Sequence, residues 1–259
     1  MSSSVALLGG VYSNHYALAE ALRDVDARGV TSVYCLGDLG AFGPNPDKVI
    51  ELLRDAGVGT VQGNYDNSIG NGLDDCQCGY TDPRDNYFAK LSYDYTFRKT
   101  SVHHREWLKA LPGEIRFEWH GKRVLLCHGS PRQINEFLWE STTPTHFLEK
   151  LCDDFEADII CGTHTGLHWY RQLSNDRYFI NVGALGRPAN DGTARVWYAL
   201  LSADEPRVEF VPVHYDHQAL AKEMRDEGLP EEFVQTVHEG WWTTCLEVLP
   251  AKERARGRY

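Results

Sequence analysis

Four short apolar runs in this chain each end just before a side chain that can bind a metal ion. In chain order, these side chains are Asp38, Asn64, His128 and His164. Short apolar runs bounded by glycine or polar residues predict buried strands. Open α/β sheets build their sites at strand ends. One polar residue in such a place is typical of a turn, whereas four in order predict strand tips that converge on one metal ion.

Glycine-containing motifs surround these four side chains. The blocks, in order, are Gly37-Asp38, Gly63-Asn64-Tyr65-Asp66, His128-Gly129 and Gly162-Thr163-His164-Thr165. They resemble the calcineurin-like metallophosphoesterase family, in its bacterial branch of small phosphodiesterases and diadenosine-polyphosphatase-like proteins. The blocks of that family run D-x-H, G-D, G-N-H-D, H-G and G-H-T-H. The resemblance extends from Val5 to about Val213, and it also covers Gly40–Pro46 and Asn181–Gly183.

The resemblance implies an α/β fold in which two mixed β-sheets pack together and helices flank them, a four-layer αββα sandwich. The order of elements fits, because strands alternate with helices first and antiparallel strands follow. Asn14 is predicted to cap a helix over His15–Ala27, and Pro46 to begin the next helix. We expect a single domain over residues 1–259, with a helical extension from about residue 216 and a charged tail from residue 251.

The first and last blocks depart from the family pattern. Gly10 stands where the family has a metal-binding Asp, Tyr12 where it has a metal-binding His, and Gly166 where it has the second His of the last block. In the family, those three side chains serve one metal position. The resemblance therefore implies one intact position beside an altered one. Tyr12, His15 and His168 are candidate replacement ligands, although a histidine at a helix start or beside a tryptophan is more typical of capping or packing.

The donor set indicates the kind of metal. Asp38 and Asn64 offer oxygen ligands, and His128 and His164 offer nitrogen ligands. This mixture suits Mn²⁺, Fe²⁺ or Zn²⁺ better than Mg²⁺ or Ca²⁺, and we expect at least one ion per chain. On an octahedral ion, about two positions stay open for water and for a phosphoryl oxygen, whose bond to phosphorus the metal would polarise.

Three residues are candidates for catalysis. Tyr65 stands where the family has the His that protonates the leaving oxygen. A tyrosine, with a pKa near ~10, donates a proton with less driving force than a histidinium, and a buried tyrosine with a packing role is the alternative. Asp66 follows Tyr65 directly. Arg132, four residues after His128, is placed to meet a phosphate.

Three further residues are candidates for substrate binding. Asn14 is the residue of the first block that survives here. Arg171 and Arg187 follow the last block, and the fork of an arginine matches phosphate oxygens bidentately. Each arginine by itself is equally typical of a surface salt bridge.

The charge of the chain limits its partners. It carries 26 Lys and Arg against 37 Asp and Glu, a formal net charge of −11. Such a surface repels polyanions, which argues against binding a nucleic-acid backbone but leaves a small phosphorylated substrate open. No apolar run approaches the ~18 residues of a membrane span, and the N-terminus lacks the basic start of a signal peptide. We expect a cytoplasmic protein; a homo-oligomer is compatible with the sequence.

Cysteine usage supports a reducing compartment. Cys35, Cys127 and Cys161 lie in apolar runs and Cys152 on the apolar side of a predicted helix, as is typical of buried small hydrophobes. Cys76 and Cys78 are different, because they lie in a polar loop, where we expect free thiols in a mobile segment.

Three classes of function agree with these observations. The first, which we favour, is a metal-dependent phosphoesterase that acts on phosphodiesters or nucleotide-like anhydrides. The second is a non-hydrolytic protein that binds a phosphorylated ligand. The third is an enzyme with one metal, possibly iron, that performs different chemistry on the same fold.

Overall fold

The computed structural model describes residues 4–202 and 207–256. Within these residues the chain forms two five-stranded sheets. The strands are β1 (Val5–Leu8), β2 (Ser32–Cys35), β3 (Gly59–Thr60), β4 (Ile115–Trp119), β5 (Lys122–Leu126), β6 (Ile159–Gly162), β7 (His168–Leu173), β8 (Arg177–Val182), β9 (Val196–Ser202) and β10 (Arg207–Val213).

Both sheets are mixed. The first has the order β10-β9-β1-β2-β3, in which β1, β2 and β3 are parallel, whereas β9 runs antiparallel to β1 and β10 to β9. The second has the order β4-β5-β6-β8-β7, with β5, β6 and β8 parallel and the two edge strands antiparallel. The prediction of two packed mixed sheets is confirmed.

Side chains of β1 alternate between two of the hydrophobic layers of the protein. Val5 and Leu7 of β1 face the second sheet and share a core with Leu126. Ala6 and Leu8 point the other way, into the layer beneath the helices of the first sheet. Successive residues of a strand point to opposite faces. Because β1 is apolar on both faces, it is covered on both sides and lies inside a four-layer sandwich.

Helices cover the outer faces of both sheets. They are α1 (His15–Ala27), α2 (Pro46–Asp55), α3 (Asn64–Asn71), α4 (Pro83–Lys99), α5 (Val102–Lys109), α6 (Thr145–Asp154), α7 (His217–Asp226), α8 (Glu231–Glu239) and α9 (Ala251–Arg256). The predicted cap is present, because Asn14 Oδ1 accepts a hydrogen bond from the Ala17 amide at 3.0 Å. Among the described residues, no helix has the length and the apolar character needed to cross a membrane.

The structure adds elements that the sequence patterns did not predict. Strand β7 and helix α3 are both absent from the predictions. The expected charged tail includes α9, which is held because Ser141 donates hydrogen bonds to the Glu253 carboxylate and Glu140 pairs with Arg256 at 2.9 Å. Tertiary contacts, more than local propensity, therefore order this short helix. Residues 257–259 of the predicted tail lie outside the described residues.

Candidate metal centre

Three potential metal ligands converge between the two sheets. The ligand atoms of Asp38, His128 and His164 all lie within 4.8 Å of one another, and all three residues are buried. His128 Nε2 is 3.2 Å from Asp38 Oδ2 and 3.3 Å from His164 Nδ1. This is a candidate metal site at the carboxyl ends of β2, β5 and β6, where the sequence pattern predicted one.

The backbone presents two of these side chains in an uncommon conformation. Asp38 has a φ of +55° and His164 a φ of +64°, which is the left-handed region that residues other than glycine rarely adopt. Conformations of this kind cluster at functional sites, because the surrounding structure must hold them against their own strain. Gly63 shows how tight the packing is, since a Cβ there would lie 2.3 Å from Asp38 Oδ1.

Hydrogen bonding fixes the orientation of both imidazoles. His128 Nδ1 lies 2.6 Å from the carbonyl oxygen of Leu36, so this nitrogen carries the proton and Nε2 is left free to bind a metal, a typical arrangement for ligating histidines. Burial lowers the pKa of His128, but the Asp38 carboxylate, the Leu36 carbonyl and Asp66 together outweigh burial, so the pKa is raised. Burial and the neighbouring His128 lower the pKa of His164 to about 3, which keeps that imidazole neutral.

Asn64 lies beside this group and has one free acceptor. Its Nδ2 donates to the carbonyl of Cys76 at 2.8 Å and to Cys78 Sγ at 3.4 Å. Its Oδ1 is buried and has no hydrogen-bond partner, and the same is true of His164 Nε2. A buried polar atom without a partner is costly. A metal ion bound by Asp38, Asn64, His128 and Nδ1 of His164, the nitrogen that faces His128, would satisfy the Asn64 acceptor, so the donor set fits the group that the sequence implies.

The loop with Cys76 and Cys78 differs from the expectation of free, mobile thiols. The two residues form a disulfide, and both are buried. Their contacts with Asn64 explain this burial, because the loop folds down onto the amide that it orients. The expectation failed because a polar loop composition does not reveal which residues lie beneath the loop.

The structure places Tyr65 and Asp66 around Asp38 in supporting roles. Asp66 accepts hydrogen bonds from the amides of Asp38 at 2.8 Å, Leu39 at 3.0 Å and Gly63 at 2.8 Å, so its carboxylate clamps two loops together. The amide of Tyr65 donates to Asp38 Oδ1 at 3.0 Å. The Tyr65 hydroxyl points to the carbonyl of Ala89 at 3.4 Å. This geometry favours the packing alternative for Tyr65 over proton donation.

The missing Asp of the first block leaves no empty space. A Cβ at Gly10 would lie 2.6 Å from Cε1 and 2.7 Å from Cζ of Tyr12, so the Tyr12 ring occupies the position of a Gly10 side chain. Backbone bonds hold the two loops together, because the Asp38 carbonyl accepts from the amides of Val11 at 2.9 Å and Tyr12 at 3.1 Å. Burial, and then the Asp38 carboxylate, raise the pKa of Tyr12, which favours the neutral phenol. The two departures in this block are therefore sterically linked.

The missing His of the last block is also replaced by an aromatic ring. Gly166 has a φ of +75°, and a Cβ there would lie 3.1 Å from Trp242 Cη2. Trp242 in turn packs on the guanidinium of Arg187, whose Cζ lies 4.0 Å from its ring centroid and 4.7 Å from that of Phe42. Phe42 meets Tyr12 edge-on, with centroids 5.3 Å apart. We call Tyr12, Phe42, Arg187 and Trp242 the aromatic layer.

A small cavity separates the aromatic layer from the ligands. It has a volume of about 20 Å³ and is lined by His164, Tyr80 and Cys245, together with the whole aromatic layer. This volume holds about one water molecule. Sequence reasoning missed Trp242 and Cys245, because they belong to the segment after α8, and no motif of the sequence marks that segment.

Two of the proposed replacement ligands have other surroundings. His168 packs against the rings of Trp197 and Phe210, with centroids 4.9 and 4.5 Å away, and burial lowers its pKa to about 4. His15 begins α1 and stacks on Tyr16 at 4.1 Å. The three-residue ligand group includes neither of them, whereas Tyr12 lies next to it.

The remaining candidates are divided between the site and the scaffold. Arg132 is paired with Glu136 at 3.2 Å and is half exposed. Arg171 donates to the carbonyls of Thr143 and Glu140, both at 2.6 Å, so it ties a loop to β7. Asn14 donates to the Gly186 carbonyl at 3.2 Å and also caps α1. Of the substrate-binding candidates, Arg187 is the one that lines the cavity beside His164.

Known proteins share this sequence and architecture. Residues 4–205 match the profile described as "Calcineurin-like phosphoesterase superfamily domain". The chain is 26% identical to the uncharacterized protein MJ0912 of Methanocaldococcus jannaschii, over 89% of this chain and 96% of that protein. It superposes on a metallophosphoesterase from Sphaerobacter thermophilus with a TM-score of 0.70 at 27% identity, covering 92% of this chain and 98% of the other. For PH1004 from Pyrococcus horikoshii OT3 the TM-score is 0.78 at 22% identity, covering 93% and 99%. Since the profile spans most of the chain, the chain belongs to the calcineurin-like phosphoesterase superfamily.

Proposed function

We propose that this protein is a phosphoesterase that hydrolyses small phosphodiesters or nucleotide anhydrides with one firmly bound Mn²⁺, Fe²⁺ or Zn²⁺ per chain. One observation carries the proposal. The buried Oδ1 of Asn64 has no hydrogen-bond partner in the described protein, and Asn64 belongs to the set of four candidate strand-tip ligands. A cation at this position would satisfy that oxygen and would neutralise the buried Asp38 carboxylate.

The chain's own residues prepare this position. When bound, a divalent ion supplies Lewis-acid polarisation of a phosphoryl group. Asp66 holds the turn that carries Asp38, through three backbone amides. Leu36 fixes the His128 tautomer, and the carbonyl of Cys76 orients the Asn64 amide. The ligand atoms are therefore held before any ion binds, which reduces the reorganisation that binding and reaction require.

The surroundings also favour a small anionic substrate. The net charge of −11 disfavours long polyanions, whereas a single phosphoryl group needs positive charge only at the site. The aromatic layer excludes water from one side of the ligands, and exclusion of water strengthens electrostatic interactions inside a site.

Metal content and hydrolysis together test this function. Chelator-treated protein would be reloaded with one equivalent of Mn²⁺, Fe²⁺ or Zn²⁺ and assayed on bis(p-nitrophenyl) phosphate and on a dinucleoside polyphosphate. We expect turnover that appears on reloading and that is lost in Asn64→Ala, with His168→Ala as the control. The proposal fails if the reloaded parent holds its metal and hydrolyses neither substrate class.

A second candidate is supported by the rings beside Gly10 and Gly166. These two positions lack the side chains that the family uses for its second ion, and Tyr12 and Trp242 occupy the space beside them. A protein of this kind would bind a phosphorylated ligand without hydrolysing it. Tight binding of a phosphoester to the reloaded protein, with no turnover, would favour this candidate.

A further inference from the structure

Arg187 is a buried cation with an unusual set of partners. Only 5% of its surface is exposed, and its Nη2 donates to the carbonyl of Thr244 at 2.8 Å. Across residues 4–202 and 207–256, no carboxylate lies within ion-pair distance of its guanidinium. A buried charge is normally paired. Here the faces of Phe42 and Trp242 compensate only in part, so the guanidinium keeps capacity for an anion.

The position of this charge is the second reason to expect an anion. Arg187 lines the same small cavity as His164, and it belongs to the aromatic layer on the side where the family resemblance puts a second metal ion. It is the one arginine or lysine among the described residues lining that cavity. In the region where the family resemblance puts the positive charge of a second ion, this chain has the guanidinium of Arg187.

The loop that carries Arg187 is fastened to the loops of the site. The amides of Leu185 and Gly186 donate to the Gly10 carbonyl at 3.0 and 2.8 Å, and a Cβ at Gly186 would lie 1.9 Å from the Val11 carbonyl oxygen. The Val11 amide is bonded to the Asp38 carbonyl. Two short steps through the backbone thus connect the loop of Arg187 to the loop of Asp38, which fixes the position of one loop relative to the other.

We propose that Arg187 is a phosphate-binding residue, and that its guanidinium takes the place of the second metal ion by binding an oxygen of a phosphoryl group whose other oxygens are directed to the cation that Asp38, Asn64, His128 and His164 would hold. This inference rests on the proposed function and assigns one more residue to the same site. An arginine fork binds two oxygens of a phosphate bidentately. The ligand class is a phosphate mono- or diester.

Binding requires a movement of the C-terminal segment. A phosphate group is larger than the single water molecule for which the cavity has room. Trp242, Cys245 and Val248 form one wall of this cavity, and the carbonyl of Thr244 occupies Nη2 of Arg187. Phosphate would displace that carbonyl from the guanidinium, and residues 241–248 would move outward.

Binding of inorganic phosphate tests the assignment without any turnover. Titration calorimetry, and the rise of the melting temperature with millimolar phosphate, would be measured on metal-free and on metal-loaded protein. We expect Arg187→Gln and Arg187→Met to weaken phosphate binding about 10- to 100-fold in both forms, since a charge-assisted hydrogen bond is lost. Methionine keeps a long side chain between the two rings, so it preserves the packing while it removes the charge.

Arg171→Gln is the matched control. Arg171 also stacks on a tryptophan, at 5.4 Å from Trp169, but it lies on β7 and bonds to two carbonyls, so its replacement should leave phosphate affinity unchanged. The inference is overturned if either folded Arg187 variant binds phosphate as tightly as the parent. Should neither variant fold, the metal-free parent decides, because failure to bind phosphate would refute the assignment and binding would support it.

The outcomes separate this inference from the proposed function. Phosphate binding that depends on Arg187, in a protein without hydrolytic activity, would refute the phosphoesterase function and support the assignment of Arg187. Metal-dependent hydrolysis with unchanged phosphate affinity and KM in both Arg187 variants would support the phosphoesterase function and refute the assignment of Arg187.

Discussion

The two sides of the candidate metal centre differ in the side chains that fill them, which are polar on one side and aromatic on the other. On one side, turns after strands of both sheets present Asp38, His128 and His164, and hydrogen-bond acceptors remain unpartnered. On the other side, Gly10 and Gly166 leave space that the rings of Tyr12 and Trp242 occupy. The comparison teaches that the loss of a ligand here leaves only a small cavity, of about 20 Å³. An adjacent side chain covers the position, which supports the proposal of a cation on the first side alone.

The largest effect should follow from removing a ligand on the first side. In His128→Ala, we expect metal affinity to fall by more than about 100-fold, since changes to the outer partners of ligands alone cost about 10- to 100-fold. Elemental analysis after dialysis measures the change. His168→Ala is the control, because this histidine is packed between Trp197 and Phe210. If His128→Ala retains as much metal as the parent, His128 is not a ligand.

Restoring the lost side chains should change the second side. Gly10→Asp alone forces a Cβ to 2.6 Å from the Tyr12 ring, so we expect a loss of about 1–3 kcal/mol in unfolding free energy, as for other overpacked sites. Combining Gly10→Asp with Tyr12→His should relieve the clash, because the shorter imidazole lacks Cζ and the hydroxyl, two of the three nearest atoms. The double variant should raise the metal content from about one ion per chain and increase phosphodiesterase activity.

Denaturant unfolding and elemental analysis decide between these outcomes. Equal stability of Gly10→Asp and the double variant would show that the Tyr12 ring does not fill this position. Two tightly held ions in the parent protein would contradict the one-metal mechanism.

A smaller effect, on the pH dependence of stability, is expected for the C-terminal wall of the cavity, to which Val248 belongs. Asp85 accepts from the Val248 amide at 3.1 Å, and burial, followed by the interaction with Glu247, raises its pKa from 3.8 to about 7. Between these values the folded state binds a proton that the unfolded chain has lost. Stability contributed by this group is therefore present at low pH and is lost as the pH rises towards about 7.

Asp85→Asn tests this pH dependence. The variant cannot ionise at this position, so its melting temperature should fall less than that of the parent between pH 4 and pH 7. Thermal unfolding of the metal-free proteins over this range provides the measurement, and Asp94→Asn, an exposed position on the same helix, serves as the control. Parallel curves for the parent and Asp85→Asn would exclude this carboxyl as the source.

The smallest effect is expected for Tyr65. Its hydroxyl faces the carbonyl of Ala89, so Tyr65→Phe should reduce turnover slightly and to the same degree for alkyl and nitrophenyl esters. A proton donor would behave differently, because poor leaving groups need protonation and activated ones do not. A selective loss on alkyl esters would restore Tyr65 as the acid that the family resemblance suggested.

The candidate ligands could be predicted from the sequence, because the signals that mark them are local. Each of Asp38, Asn64, His128 and His164 follows an apolar run directly, and strand tips of parallel strands meet at one edge. The cap of α1 by Asn14 was equally readable, because it depends on residues three positions apart. Local spacing therefore predicted where Asp38, His128 and His164 would meet, whereas the two packed sheets were predicted from the family resemblance.

Contacts between distant segments decided the rest. Trp242 lies against Gly166, the carbonyl of Thr244 bonds to Arg187, and the disulfide loop at Cys76 orients Asn64. No periodicity records such pairs, because each depends on how far the chain travels and on which face it returns. By itself, the sequence predicted, through its family resemblance, which candidate ligands are kept and which are replaced. Only the tertiary structure decided what fills the lost positions, because packing is a property of residues that meet in space.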